Sequence, residues 1–258
     1  MKKFFLFVIL TLPIFLGLVQ NARAQNTHLS DYQYQLDQYR RYYAEYSNFK
    51  ADYLARPTLD NEQKAIISAK QAINARDLAW ASFVLVLSDT VSDTGVSYPV
   101  IDKAVADLAE IAKYHFGQAV AAGSIVTRAD LTAFTKNELK ITAGHKLVLT
   151  QAQVAGKLAR LIKFQIDAKM AYDSILPKLE TIKDEVSVQN GLDQIQTGSQ
   201  QINDQISALA KKTTDLNMEN FSRDTFYTNS TETLTSIRTN VGRLVNVIID
   251  LDTNYVRH

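Results

Sequence analysis

The chain has 258 residues, with 28 basic and 27 acidic side chains and no cysteine. Disulfides and thiolate metal sites are therefore excluded, and no basic footprint marks it for nucleic acid or anionic lipid. The length suits one or two ordinary domains, and nine glycines with four prolines favour long helices over many strands and turns.

Residues 1–24 have the layout of a secretory signal peptide: Lys2 and Lys3, an apolar stretch from Phe4 to Val19, then Ala22-Arg23-Ala24 as a small-x-small cleavage site. Cleavage between Ala24 and Gln25 is the expectation, supported by Pro13, which interrupts the apolar helix; an uncleaved signal anchor is the alternative. Removal of this segment leaves 25 basic against 27 acidic side chains, a net charge of about −2. The longest later apolar run, Leu78 to Leu87, reads as a buried helix and not a membrane span. The localisation expected is outside the cytoplasm: periplasmic, cell-surface or secreted.

After a polar leader, Ser30 or Asp31 can cap a tyrosine-rich helix ending at Arg56-Pro57, because the residue before proline is pushed out of the helical region. Tyr32, Tyr39, Tyr46 and Tyr53 recur every seven residues, with Leu36 and Tyr43 at the intervening positions. Tyr34, Tyr42 and Phe49 widen the aromatic surface, so seven of the twelve tyrosines fall within twenty-two residues.

A second helix starts near Thr58 to Asp60, with a seam of Ile66, Ala69, Ile73, Arg76, Trp80, Phe83 and Leu87. Arg76 interrupts that seam, either as a long side chain reaching the edge or as a buried pair that fixes register. Ser88 to Pro99 reads as a solvated loop. Its Asp89 and Asp93 lack the alternating oxygen ligands of a calcium loop. Pro99 suits the first turn of a third helix, lined by Ile101, Val105, Leu108, Ala112 and Phe116 and closed by Gly123.

Thr127-Arg-Ala-Asp130 resembles a capping box ahead of a very long fourth helix, whose three-four spacing runs on through Pro177 to Val186; the proline reads as a kink, and the alternative is that the helix breaks near it. Ala152, Ala155, Gly156 and Ala159 form a small-residue patch for close helix approach. Asn190-Gly191 is a turn candidate, after which Leu192, Ile195, Ser199, Ile202, Ile206, Leu209, Thr213 and Leu216 make a thin coiled-coil-like seam. A last helix, capped by Ser230 or Thr231, carries Leu234, Ile237, Val241, Leu244, Ile248, Leu251 and Tyr255. The stretch 217–229 has no clear period and reads as the connection.

The fold class expected is all-α: an elongated antiparallel helical bundle with coiled-coil segments. Its divisions are residues 1–24 as signal, 25–57 as the tyrosine-rich helix, 58–188 as a bundle with a long kinked fourth helix, and 189–258 as a helical hairpin packed on it.

Site chemistry is sparse. The histidines at 28, 115, 145 and 258 stand in no metal-ligand spacing, and His115 and His145 read as ordinary helix residues. Serine-hydrolase, phosphate-loop and dinucleotide fingerprints are missing, so no enzyme, cofactor or metal is expected. The candidate contact face is Tyr32, Leu36, Tyr39, Tyr42, Tyr43, Tyr46, Phe49 and Tyr53. Buried in a seam, those rings would be structural; exposed, they would grip a protein or a sugar. The function expected is an exported, non-enzymatic structural or protein–protein interaction component of the cell envelope or exterior, with a protein partner or self-association. The alternative is an extracytoplasmic helical-bundle module binding a glycan or peptide.

Overall fold

The computed structural model describes residues 27–256 apart from Asn220. The signal segment, the cleavage pair Ala24 and Gln25, and His258 lie outside the described residues. The chain is all-α, with six α-helices and no strand among the described residues: α1 (Lys2–Ala55), α2 (Leu59–Ser92), α3 (Pro99–Ala121), α4 (Arg128–Leu179), α5 (Val186–Thr214) and α6 (Arg223–Leu251). No described helix is long and apolar enough to cross a membrane. The chain forms two units, Met1–Asp93 with Ala106–Lys146 and Thr94–Val105 with Leu147–His258.

In the first unit α1 ends two residues before Pro57, and Thr58 caps α2 by accepting the Asn61 amide at 3.3 Å. The two helices run antiparallel, with His28 at Asp89 and Tyr32 at Phe83. Residues 25–57 thus belong with α2 in one unit. Ala69, Ala72, Ala75, Ala79 and Ala81 are all buried, so α2 presents small side chains against which larger ones lie. Asn74 donates to the Ala119 carbonyl at 2.8 Å, satisfying a group at the end of α3 that the helix itself leaves open. Ile73, Ala122 and Ile125 form a core cluster with Ile66, Leu131 and Phe134 against it.

Details around α2 and α3 differ from the sequence expectation. α2 continues through Ser88 to Ser92, because Thr90 and Ser92 bond back to the Val86 and Ser88 carbonyls and Val91 is buried. Only residues 93–98 connect it to α3, with Gly95 at φ +63°, a conformation that favours glycine. Along α3 the buried series is Ile101, Ala104, Leu108, Ile111, Ala112, His115 and Ala119; Phe116, expected inside, is exposed. Gly123 sits within a short 3-10 turn after the helix.

The capping box at the start of α4 is formed as read. Thr127 accepts the Asp130 amide at 3.1 Å, and the Asp130 carboxylate accepts the Thr127 and Val126 amides at 2.9 and 3.2 Å. The Thr127 hydroxyl, together with the Val126 and Thr127 amides, holds the Asp130 carboxyl below its ordinary pKa by hydrogen bonding to its charged form.

In the second unit the small-residue patch Ala152, Ala155, Gly156 and Ala159 is buried beside Val154 and Leu158. α4 takes in Pro177 but stops at Leu179, where a 3-10 turn, Glu180–Ile182, follows, so of the two alternatives the break near Pro177 is the one found and the continuous run to Val186 is not. Proline supplies no amide to the turn before it, and its ring crowds the carbonyl four residues back.

Asn190-Gly191 is no turn: both lie inside α5, where a Cβ on Gly191 would meet Leu251 Cδ2 at 2.9 Å. Glycine here permits close approach to the end of α6. α6 begins at Arg223, before the expected Ser230 or Thr231, and buries Phe226 and Ser230 on the same face as Leu234, Ile237 and Val241. The connection is correspondingly short. α5 and α6 pair antiparallel, with Gly198 against Leu244 and Gln205 bonded to both Ser236 and Asn240 at 3.0 Å. Gln151 of α4 donates to the Thr213 and Leu216 carbonyls at 2.8 and 3.2 Å, capping the carboxyl end of α5.

Candidate functional site

The tyrosine stripe lies along α2 and is only partly covered. Tyr32, Leu36, Tyr39, Tyr42, Tyr46, Phe49 and Tyr53 are half-buried, while Tyr43 is 52% and neighbouring Tyr34 61% exposed. None of the eight is fully buried, and none stands free. Ring contacts tie them together: Tyr32 to Phe83 at 5.6 Å, Tyr39 to Tyr43 at 5.8 Å and Tyr43 to Tyr46 at 6.3 Å. Cations add to the face, with the Arg41 guanidinium 4.8 Å from the Tyr42 ring centre and Lys50 5.7 Å from that of Tyr46. Tyr39, Tyr43 and Tyr46 border a cavity of about 190 Å³ whose far wall includes Ala69, Arg76 and Thr135.

Arg76 leads from that cavity into a buried polar cluster. Its guanidinium holds Asp77 at 2.9 Å and Glu138 at 2.5 Å, so the buried-pair reading is the one realised. Asp77, with no exposed surface, also meets His115 Nδ1 at 2.7 Å. An ionised carboxylate only accepts, which makes Nδ1 the donor. Trp80 stacks on His115 at 5.6 Å, and Tyr114, His115 and His145 contact one another edge-on, each pair at 5.2 Å. Tyr114 Oη, His115 Nε2, His145 Nδ1 and Arg76 Nε are buried without a hydrogen-bond partner among the described residues.

Two carboxylates share one guanidinium, and the titrations follow from that. Burial raises the Glu138 carboxyl above the ordinary range, Asp77 reinforces the shift, and Arg76 opposes it without cancelling it. Burial works against the Arg76 charge, but Asp77 and Glu138 outweigh it and raise its pKa. Burial, with the nearby His115, lowers His145. Tyr114 is raised by burial and by the Glu138 and Asp77 charges.

This cluster fixes the orientation of an imidazole inside the first unit. His115 is 1% exposed, so the fold does not present it to a dissolved substrate. Among the described residues no group of three His, Cys, Asp or Glu side chains is set to hold a metal ion. The sequence reading missed Asp77 and Glu138 entirely and took His115 and His145 as ordinary. One signal was present: a charged Arg76-Asp77 pair inside an alanine-rich apolar seam. Comparison with known proteins finds no matching family model, no matching curated protein and no matching solved structure.

Proposed function

We propose that this chain is an exported, non-enzymatic interaction protein of the cell envelope or exterior, with the tyrosine face of α1 as its contact element. One observation carries the reading: every ring of the stripe retains solvent-facing surface although the helix is packed along its length. A tyrosine buries about 150–250 Å² when fully covered, so a row of half-covered rings holds much of that contact energy in reserve. Aromatic rings with arginine beside them are the side chains enriched at protein contacts, and Arg40, Arg41 and Lys50 flank this row.

The glycan-or-peptide alternative has one observation of its own in this unit, the cavity bordered by Tyr39, Tyr43 and Tyr46. At about 190 Å³ it falls below the roughly 300–1,000 Å³ of ordinary small-molecule sites, which ranks that reading second for this face.

Sedimentation velocity on the chain from Gln25 onward, against Tyr34→Ser/Tyr43→Ser, tests the self-association form. A concentration-dependent oligomer that the double variant shifts to monomer supports it. A chain that stays monomeric at every concentration removes self-association and leaves a different protein as the required partner.

A further inference from the structure

The second unit holds a cleft of about 790 Å³ between α4 and α5, floored by Ile162, Ile195, Ile206, Leu244 and Ile248. All five floor side chains are buried and aliphatic. Carboxamides stand along both walls, Gln165 on α4 and Gln189, Gln196 and Asn203 on α5. Gln165 Nε2 donates to Asn203 Oδ1 at 2.9 Å across the opening, so amide-to-amide pairing already occurs there. The two charges at the rim are both engaged: Lys169 with Asp173 at 2.6 Å, and Asp193 with Gln189 Nε2 at 3.1 Å.

We propose that this cleft binds an extended, uncharged, aliphatic-rich peptide segment of another protein. A polypeptide backbone offers one donor and one acceptor per residue whatever its sequence, and a carboxamide is the side chain that matches both. The aliphatic floor takes alternate side chains, and it is this floor that calls for a segment without charge. From Leu192 to Ile206 the cleft follows about 21 Å of α5 at 1.5 Å per residue, which matches about six residues of extended chain. An acyl chain would leave the carboxamides without partners on the ligand. A sugar stacks on aromatic faces, and the cleft offers it only Tyr98 and Tyr172 above an aliphatic floor. The proposal uses no part of the tyrosine face and stands or falls independently of it.

The probe is an N-acetylated, C-amidated, dye-labelled heptapeptide with leucine at alternate positions and serine between them, measured by fluorescence anisotropy on the chain from Gln25 onward. Saturable binding is expected, weakened about tenfold or more when lysine replaces the central leucine. Two variants at exposed positions read the two halves of the recognition. Gln196→Met is expected to weaken binding about fivefold by deleting a carboxamide, and Ile166→Glu, at the lip, to abolish it. Circular dichroism melting unchanged from wild type shows each variant folded; if one is not, the other carries the test.

No saturable binding up to about 1 mM overturns the proposal. So does binding that a folded variant leaves unchanged, or displacement by 1-dodecanol or cellohexaose more readily than by unlabelled peptide. A dimer that Ile166→Glu dissolves would assign the cleft to a second copy and would also overturn it.

Discussion

Replacing Arg76 by methionine keeps most of the side-chain volume and removes the single cation between two buried carboxylates. Asp77 retains His115 at 2.7 Å, but Glu138 has the guanidinium as its one ion-pair partner among the described residues. Breaking one side of a buried pair costs about 3–5 kcal/mol, out of a total stability of about 5–15 kcal/mol for a domain. The lower end applies here, because Arg76 is a quarter exposed and Glu138 can escape by taking up a proton. The expected loss at neutral pH is therefore about 3 kcal/mol, read by urea unfolding followed by circular dichroism. Adding Glu138→Gln to Arg76→Met removes the stranded charge and is expected to return about 1–2 kcal/mol. An Arg76→Met chain within about 1 kcal/mol of wild type, or a double variant with no recovery, refutes the idea that the ion cluster is coupled and desolvated.

Two pH effects of opposite sign follow from the same cluster. Glu138 has a raised folded pKa, so its contribution to stability is fully present below its unfolded pKa and is lost as pH rises through the folded value. Glu138→Gln is expected to flatten the stability profile on that side. His145 has a lowered folded pKa, so its contribution is present above the unfolded value near 6.5 and is lost as pH falls through the folded one; His145→Gln is expected to flatten the acid limb. Unfolding midpoints across a pH series check both, and parallel wild-type and variant profiles would contradict them. Gly191→Ala gains about 1 kcal/mol of helix propensity but must displace Leu251, at about 1–3 kcal/mol, for a net loss of about 1 kcal/mol. Gly242→Ala, with open space around its Cβ, is expected to gain about 0.5–1 kcal/mol; a Gly191→Ala protein as stable as that one would remove the close-approach explanation.

Helix ends governed by local chemistry were legible in the sequence. Pro57 stops α1, α2 starts within Thr58 to Asp60, Pro99 opens α3 and Thr127 with Asp130 caps α4, because each is set by atoms a few residues away. The apolar seams of α5 and α6 were legible for the same reason of spacing. Ends decided at a distance were not. Asn190-Gly191 has the composition of a turn, yet it lies inside α5, where the glycine serves the close approach of Leu251. Ser88 to Ser92 and Arg223 to Asn229 look like connections because hydroxyl and amide side chains have weak local preference, while buried Val91 and Phe226 tie them into helices. The polar cluster required Asp77, His115 and Glu138 from three helices to converge, which no local spacing encodes. The one residue of the cluster that the sequence reading singled out was Arg76, and its tyrosine neighbours Tyr39, Tyr43 and Tyr46 marked the surface above it.

The most direct test of the contact-face claim is tyrosine footprinting: nitration of the protein in its native setting and again after purification, with modified residues read by mass spectrometry. The account predicts that Tyr43, the exposed ring of the stripe, and its exposed neighbour Tyr34 react in the isolated chain and are protected where the partner or a second copy covers them. Equal modification in both settings would contradict it, and the half-covered tyrosines would then be no more than the wet edge of the α1–α2 seam.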